Sequence, residues 1–325
     1  MRTEGGRAAD PEFDIRPYQA GDEAQIRELF QLSFGRPLPE ARRRWRYQDN
    51  PAGPALIDLA WRGEVLVAHR AQSLFALCVE GQERLAGLGG GIMTRPEYRG
   101  RGLYAALTNR QLQRLAQQGA AIAIGLPNSY SHRIIVRDIG YVDIHEVPTF
   151  CLRLGAERAF PAVRRVVELS QFDARFDRLW QRVKDDHPII ARRDRAHLQW
   201  RYVQNPTVQY RILACEDNEE LLGYAVCKRF GEQVHVVDLL SVKEAEIGLH
   251  LISRAIEIAR RDGASALSMW LNVNHPLHWE LEKRGFRNQE PVTYFTGLVL
   301  RREFSAHLVY DYRSWYLTMG DSDVY

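Results

Sequence analysis

From Ile92 to Ala105 the chain reads Ile-Met-Thr-Arg-Pro-Glu-Tyr-Arg-Gly-Arg-Gly-Leu-Tyr-Ala. Gly100 and Gly102 have no Cβ, so successive backbone N–H groups can converge on an anion, and Arg99 and Arg101 add positive charge beside them. The chemistry this suits is phosphate binding at the positive end of a helix. A second group of candidates follows the apolar run 120–126. Asn128 can cap a helix or face a ligand. Tyr130 and His132 stand on the first turn of the next helix, and His145-Glu146 opens the strand after Gly140-Tyr141. All four side chains can give or take a proton.

The elements that must position these groups follow from periodicity. The apolar run ahead of Arg95 predicts a strand and the amphipathic stretch 103–118 a helix, so the glycine pair lies in a tight strand-to-helix loop. The run 120–126 is too short for a helix and reads as a strand buried on both faces. A helix then runs from Ser129 to about Ile139.

The loop resembles the acyl-CoA-binding motif of the GCN5-related N-acetyltransferases (the GNAT superfamily), Arg/Gln-x-x-Gly-x-Gly/Ala, on Arg99, Gly102 and Tyr104. The resemblance implies that Arg99, Gly100, Arg101, Gly102, Leu103, Tyr104 and Ala105 grip the CoA pyrophosphate. It also implies that the main chain of Ile92, Met93 and Thr94 pairs with pantetheine, and that Asn128 faces the same arm. Tyr104 departs from the pattern, which has Gly or Ala there; either the helix start shifts or the ring packs near the adenosine-diphosphate path. The family's usual acid, a Tyr seven residues beyond the Asn, is replaced by Ile135, because the segment is one residue longer than the family spacing. Tyr130 and His132 are the nearest substitute acids. Glu146, then His145, are the preferred bases, ahead of Glu97 and His69. Gly89-Gly90-Gly91 would tolerate a kink that frees amides near Met93 and Thr94 for an oxyanion.

At 325 residues, 45% hydrophobic and 26% charged, the chain is long enough for two cores. Forty-four basic against forty-one acidic residues leave +3, too little to argue for nucleic acid. The run Arg42-Arg43-Arg44-Trp45-Arg46 and the pair Arg192-Arg193 read as solvated helix faces. Cys78, Cys151, Cys215 and Cys227 share no metal-ligand spacing and read as buried free thiols. No apolar run approaches the roughly 18 residues of a membrane span, and the expected compartment is the cytoplasm.

The chain also repeats. Trp45-Arg-Tyr-Gln-Asp-Asn-Pro51 returns as Trp200-Arg-Tyr-Val-Gln-Asn-Pro206, Gly119-Ala120 as Gly263-Ala264, and Gly140-Tyr141 as Gly285-Phe286. Hairpin strands are expected at 55–61 with 65–74, and at 75–80 with 85–94. The second copy has strands at 208–215, 222–229 and 234–240, a helix at 246–261, a strand at 265–271, a helix at 277–284 and a strand at 291–299. Where the first copy has its glycine loop, the second reads Ser241-Val-Lys-Glu-Ala-Glu-Ile-Gly248, whose glutamates would repel a pyrophosphate.

The expected architecture is therefore α/β (α+β), a tandem GNAT fold with two mixed, largely antiparallel sheets flanked by helices. Residues 1–12 are a disordered N-terminus, 13–151 the acyl-CoA-binding domain, 152–190 a connecting segment, 191–300 a degenerate GNAT-like domain that binds no CoA, and 301–325 a tail read as solvated. The expected activity is acyl transfer from acetyl-CoA or another acyl-CoA to the primary amine of a small polar acceptor, such as an amino sugar or nucleotide-linked amino sugar. No metal, nucleic-acid or membrane partner is expected, and the assembly is a monomer or homodimer. Two other readings stand beside it: a silent acyl-CoA sensor, and a protein-lysine acyltransferase.

Overall fold

The computed structural model describes residues 12–156, 158–161, 166–242, 245–301 and 303–323. The chain forms two compact units, each assembled from separate stretches. Unit 1 comprises the chain up to Ala76, Arg84–His145 and Tyr294–Tyr310; unit 2 comprises Leu77–Glu83, Glu146–Thr293 and the chain from Asp311 on. The expected boundaries at 151, 190 and 300 thus give way to interleaved ones. Residues assigned in sequence to a connector and a tail instead complete unit 2. The expected disorder of residues 1–11 lies outside the described residues.

Unit 1 contains β1 (Asp14–Pro17), α1 (Glu23–Phe34), α2 (Glu40–Tyr47), β2 (Leu56–Arg62), β3 (Val65–Val79), β4 (Gln82–Thr94), α3 (Leu103–Gln117), β5 (Ile122–Gly125), α4 (Ser129–Ile134) and the start of β6 (Val142–Arg153). Its strands run in the order β1-β2-β3-β4-β5, and residues 296–299 then pair antiparallel with β5. The expected break at 74–75 is absent: β3 is one strand of 15 residues. It carries no glycine or proline, and an apolar stretch with nothing to interrupt it continues. Alternation sends His69 and Ala71 to the α1/α2 face and Arg70 and Gln72 to the α3 face.

The helix after β5 takes a π turn at Ile135–Ile139, closed by Gly140 at φ +91° with Tyr141 N donating to Ile135 O. A π turn is how a helix absorbs one extra residue. A single-residue excess of the kind the resemblance implies fits in such a turn.

Unit 2 contains β7 (Val166–Leu169), α5 (Ala174–Val183), β8 (Ile189–Ala191), α6 (Arg195–Leu198), β9 (Arg211–Asp217), β10 (Glu220–Phe230), β11 (Gln233–Ser241), α7 (Ala245–Arg261), β12 (Ala266–Met269), α8 (Pro276–Lys283) and the first part of β13 (Arg287–Val299). After α9 (Ala306–Tyr310), which belongs to unit 1, the chain returns through β14 (Trp315–Tyr316). The order is β6-β12-β11-β10-β9-β7, and α7 buries Ile247, Leu251, Ile252, Ala255 and Ile258 against it. Both copies of the repeated Asn-Pro close in the same Asx turn. Asn50 Oδ1 accepts from Ala52 N and Asn205 Oδ1 from Thr207 N, each at 3.0 Å.

The reading of Arg192-Arg193 as a solvated face is corrected for Arg193. It is 2% exposed, held by Asp238 at 3.0 Å and Asp321 at 2.7 Å. Arg43 likewise is buried, on Glu40. In both cases a carboxylate partner supplies what solvent would have supplied. All four cysteines are free and buried.

The orientation of α3 rests on a carboxylate. Asp58 on β2 is fully buried, and Arg110 and Arg114 of α3 reach it at 2.9 and 2.7 Å. Between them Gln111 Nε2 donates to the carbonyls of Leu56 and Arg70. Removing Asp58 strands two cations against the sheet, although both keep some contact with water. Asp58→Ala is expected to lower the unfolding free energy by about 2–3 kcal/mol, read as a lower midpoint in urea with an unchanged slope.

Candidate functional site

In unit 1 the parallel pairing of β4 with β5 covers only Ala86↔Ile122, Gly87↔Ala123 and Leu88↔Ile124. Past Leu88 the two strands part, and residues 89–94 have no strand on that side among the described residues. Because the strands are parallel, their C-terminal ends open together. One leads into the glycine loop and the other into Asn128.

The parting is sharpened by a kink. Cβ atoms placed at Gly87 and Gly89 would both meet α3-face side chains, Leu115 and Gln72 for the first and Arg70 for the second; one at Gly91 would meet Tyr47 and His69 on the opposite face. Met93 also packs on that opposite face. Two steps along a strand normally keep the face, so a residue has been inserted between 89 and 91, and Gly91 lies at φ +59°. The expected kink at Gly89-Gly90-Gly91 is therefore present. His69 holds it: Nδ1 lies 2.7 Å from Gly91 O. A carbonyl only accepts, so Nδ1 carries the proton and Nε2, buried and without a partner, does not.

The loop has the features of an anion site. Gly100 and Gly102 both sit at φ +77°, and a Cβ at Gly100 would meet nothing within 4 Å. The N–H groups from Gly100 to Ala105 donate to no acceptor among the described residues. Six unpaired donors at the start of a 15-residue helix make a ready anion cradle. Arg99 is exposed and unpartnered among the described residues, whereas Arg101 is engaged by Glu12 at 3.2 Å. Leu103 and Ala105 turn their side chains into the core and offer only main chain. Ile92 and Thr94 are half-buried.

Tyr104 resolves the two alternatives left by the sequence. The helix start stays at Gly102, and the ring turns inward, with the Arg70 guanidinium 5.6 Å from its centre. Burial pushes the Tyr104 hydroxyl pKa up, and the Arg70 charge opposes it. Asn128 caps α4, its Oδ1 accepting from Ser131 N and Oγ at 3.0 Å each. Its amide nitrogen remains uncommitted among the described residues.

The proton-transfer candidates scatter. Tyr130 is 80% exposed. His132 is bound through Nε2 to Asp143 at 2.6 Å and stacks on Tyr294 at 3.9 Å, so it is half of a His–carboxylate pair rather than a lone acid. His145 is half-buried, and Glu146 is an exposed β6 residue assigned to unit 2. Glu97 is exposed in the turn Pro96–Tyr98. Ile135, at the position of the family's acid, is 3% exposed and packs against Gly125. Sequence reasoning missed Asp143 and Tyr294 as partners of His132, and it passed over Arg70, Gln72 and Tyr141. The signal was present in Ala68-His-Arg-Ala-Gln72, which puts polar residues into the middle of an apolar strand.

Unit 2 has the same interruption. β11 and β12 pair from Gln233↔Ala266 to Val236↔Met269 and then part. The gap is filled by the chain's own end. Tyr316 OH donates to Leu239 O, Thr318 Oγ1 lies 3.3 Å from Asp238, and Gly320 packs on Val237 O. Asn272, just past β12, donates to Trp315 O at 2.7 Å and accepts from Leu317 N. The tail read as solvated is thus docked in unit 2, because its carbonyls, hydroxyls and carboxylate satisfy groups that the sheet leaves open. Of the glutamates opposite the glycine loop, Glu246 is exposed 3.5 Å from His250, while Lys243 and Glu244 lie outside the described residues.

Residues 14–142 match the acetyltransferase (GNAT) domain, and residues 173–286 the acetyltransferase (GNAT) family. The chain belongs to the GNAT superfamily, in tandem form. A comparison with curated proteins gives no match. Among solved structures it is similar to a probable N-acyltransferase from Enterococcus faecalis, with a TM-score of 0.70 at 15% identity over 89% of this chain and 73% of that one. A GCN5-related N-acetyltransferase from Anabaena variabilis gives 0.71 at 14% identity, with the same coverage. Saccharomyces cerevisiae N-myristoyltransferase with bound myristoyl-CoA gives 0.62 at 9% identity over 91% and 81%. At these identities the likeness is one of fold. Among the described residues no helix is long and apolar enough to cross a membrane, and no three His, Cys, Asp or Glu side chains gather as a metal site.

His69 makes the kink sensitive to acid. Burial drives its pKa from 6.5 to about 4. Above pH 6.5 both folded and unfolded chains hold it neutral, and it contributes no pH dependence. Below that, the unfolded chain takes up a proton that the folded one refuses, so stability falls until about pH 4. The slope from this one group approaches about 1.4 kcal/mol per pH unit. Urea unfolding of His69→Gln is expected to show a shallower decline over that window than the parent chain.

Proposed function

We propose that this protein is an N-acyltransferase that moves a short acyl group, acetyl in the simplest case, from acyl-CoA to the primary amine of a small polar acceptor. The observation that carries this reading is the run of six unpaired amides at Gly100–Ala105 opening beside a parted β4–β5 pair. The cradle takes the pyrophosphate, with Arg99 beside it. The pantetheine arm then lies along residues 92–94 in place of the missing strand, with the Asn128 amide facing it. Unit 2 offers no such place, since residues 312–322 fill its gap, and we read it as a domain that binds no CoA.

In the reaction the amine nitrogen attacks the thioester carbonyl carbon, the C–N bond forms, and the C–S bond breaks. An amide N–H near the Gly91 kink faces the oxygen that gains charge. The His132–Asp143 pair takes the amine proton, with Asp143 orienting the ring. With Ile135 in the acid position, the CoA thiolate leaves as the anion and takes its proton from water. The acceptor is an amino sugar or nucleotide-linked amino sugar in this reading, a class suggested by the Arg, Tyr and Trp content rather than by any one contact.

The burial of Ile135 where an acid is usual also favours a second reading, an acyl-CoA sensor without turnover. Release of free thiol from acetyl-CoA against a panel of amino sugars, amino acids and peptides separates the two. Turnover with a small amine supports the enzyme, and donor binding with no thiol release against any amine supports the sensor. Gly102→Glu places a side chain at φ +77° and a negative charge in the cradle. It is expected to weaken acetyl-CoA binding by at least about 100-fold, measured by calorimetry. Undiminished affinity would remove the cradle from the mechanism.

A further inference from the structure

Arg70 is a buried cation without an ion-pair partner among the described residues, since Asp58, its cross-strand neighbour, is held by Arg110 and Arg114. It lies in the middle of β3, 2% exposed, with Nε and Nη2 both buried and without a partner. No carboxylate stands within ion-pair distance of it among the described residues. A Cβ at Gly89, the first residue beyond the last β4–β5 pair, would stand 2.8 Å from its Nη2. Glycine at 89 therefore gives the guanidinium the space at the point where the strands part.

Other unmet polar groups share the place. Both polar atoms of the fully buried Gln72 are unpartnered, and its Oε1 lies 3.6 Å from the same Gly89 position. From the β5 side the Tyr141 ring comes within 3.7 Å of a Cβ position at Gly125, and its buried hydroxyl has no partner. Tyr104 closes the cradle side. A water could satisfy hydrogen bonds here, but it would leave the charge unneutralised.

Unit 2 shows how such a charge is met. There the buried Arg193 lies beside the parted β11–β12 pair and holds two carboxylates, Asp238 from the strand and Asp321 delivered by the docked tail. Unit 1 has a buried arginine beside its own gap, on the α3 face; the carboxylate across from it, Asp58, is spent on Arg110 and Arg114, and among the described residues no other ion-pairs with it.

We propose that unit 1 selects acyl donors whose acyl chain ends in a carboxylate, and that Arg70 holds that carboxylate, with Gln72 and Tyr141 completing its hydrogen bonds. This rests on the acyl-CoA reading above and narrows its donor to thioesters of short dicarboxylic acids. The distal carboxylate takes no part in bond making; it fixes how deep the acyl chain sits and so where the thioester carbon stops.

The test is calorimetric titration of the full chain with non-hydrolysable thioether analogues of acetyl-CoA and succinyl-CoA. The succinyl analogue is expected to bind about 10- to 100-fold more tightly, the range of one charge-assisted contact. In Arg70→Met the ratio is expected to fall toward one, while the melting temperature of the free variant rises, since an unpaired buried charge has been removed. Arg70→Lys keeps the charge without the planar donor pair and is expected to retain part of the preference. Equal affinities in the parent chain, or a preference that persists in Arg70→Met, would overturn the assignment and leave the acyl-CoA reading standing. Free succinate protecting against thermal unfolding as well as the succinyl analogue would assign the anion to another source and also overturn it. If neither analogue bound, the acyl-CoA reading itself would fall, and this one with it.

Discussion

The structure of each unit turns on a parallel strand pair that stops early. A sheet satisfies its main chain by continuing. Where β4 leaves β5 after Leu88, and β11 leaves β12 after Val236, the strand main chain loses its neighbour on that side. Something must pair with it. In unit 2 it is the peptide 312–322, whose Tyr316 and Thr318 hydroxyls reach Leu239 O and Asp238 and whose Asp321 binds Arg193, while its short strand pairs with β8. In unit 1 the described chain offers no segment, and the main chain past Leu88 and the amides of Gly100–Ala105 stay open.

The rest of unit 1 keeps that gap open and aims the helix at it. Gly91 inverts the alternation of β4, and His69 holds the inverted carbonyl from the next strand. Asp58 fixes α3 through two arginines one turn apart, so the six free amides at its start point in a set direction. The π turn at Ile135–Ile139 leads through Gly140 to Tyr141, whose ring closes onto Gly125. The contacts of His69 and Asp58 are polar ones made by buried groups. Such contacts specify a geometry more sharply than apolar packing does, because misplacing them leaves a charge or a carbonyl unpaired.

Much of this was legible in the sequence where local chemistry decides the outcome. The cradle, its glycines and the kink follow from residue types that only a few backbone conformations suit, and the duplication was visible in the repeated Trp-Arg-Tyr and Asn-Pro. What was not legible depended on pairing across long sequence distances. The tail from Trp315 carries no periodicity that announces docking; its partners Asn272, Asp238 and Arg193 lie scattered upstream. Arg193 read as solvated because a charged pair usually is, and only the fold brings two carboxylates to it. His132 read as a lone titratable group because Asp143 reaches it from a different element.

The two gaps also differ at one position that the repeat aligns. Gly91 in β4 stands against Tyr47, and Asp238 in β11 accepts from Tyr202, the tyrosine that repeats it. Unit 2 thus carries an anion on its own strand where unit 1 carries hydrogen. An aspartate there binds Arg193, accepts from Tyr202 and Tyr224 at 3.1 Å each, and recruits Thr318 of the tail. A glycine at the same place can recruit nothing, yet it lets a ligand approach the main chain closely. One exchange of this kind accompanies the difference between a gap that the tail fills and one that the described chain leaves open.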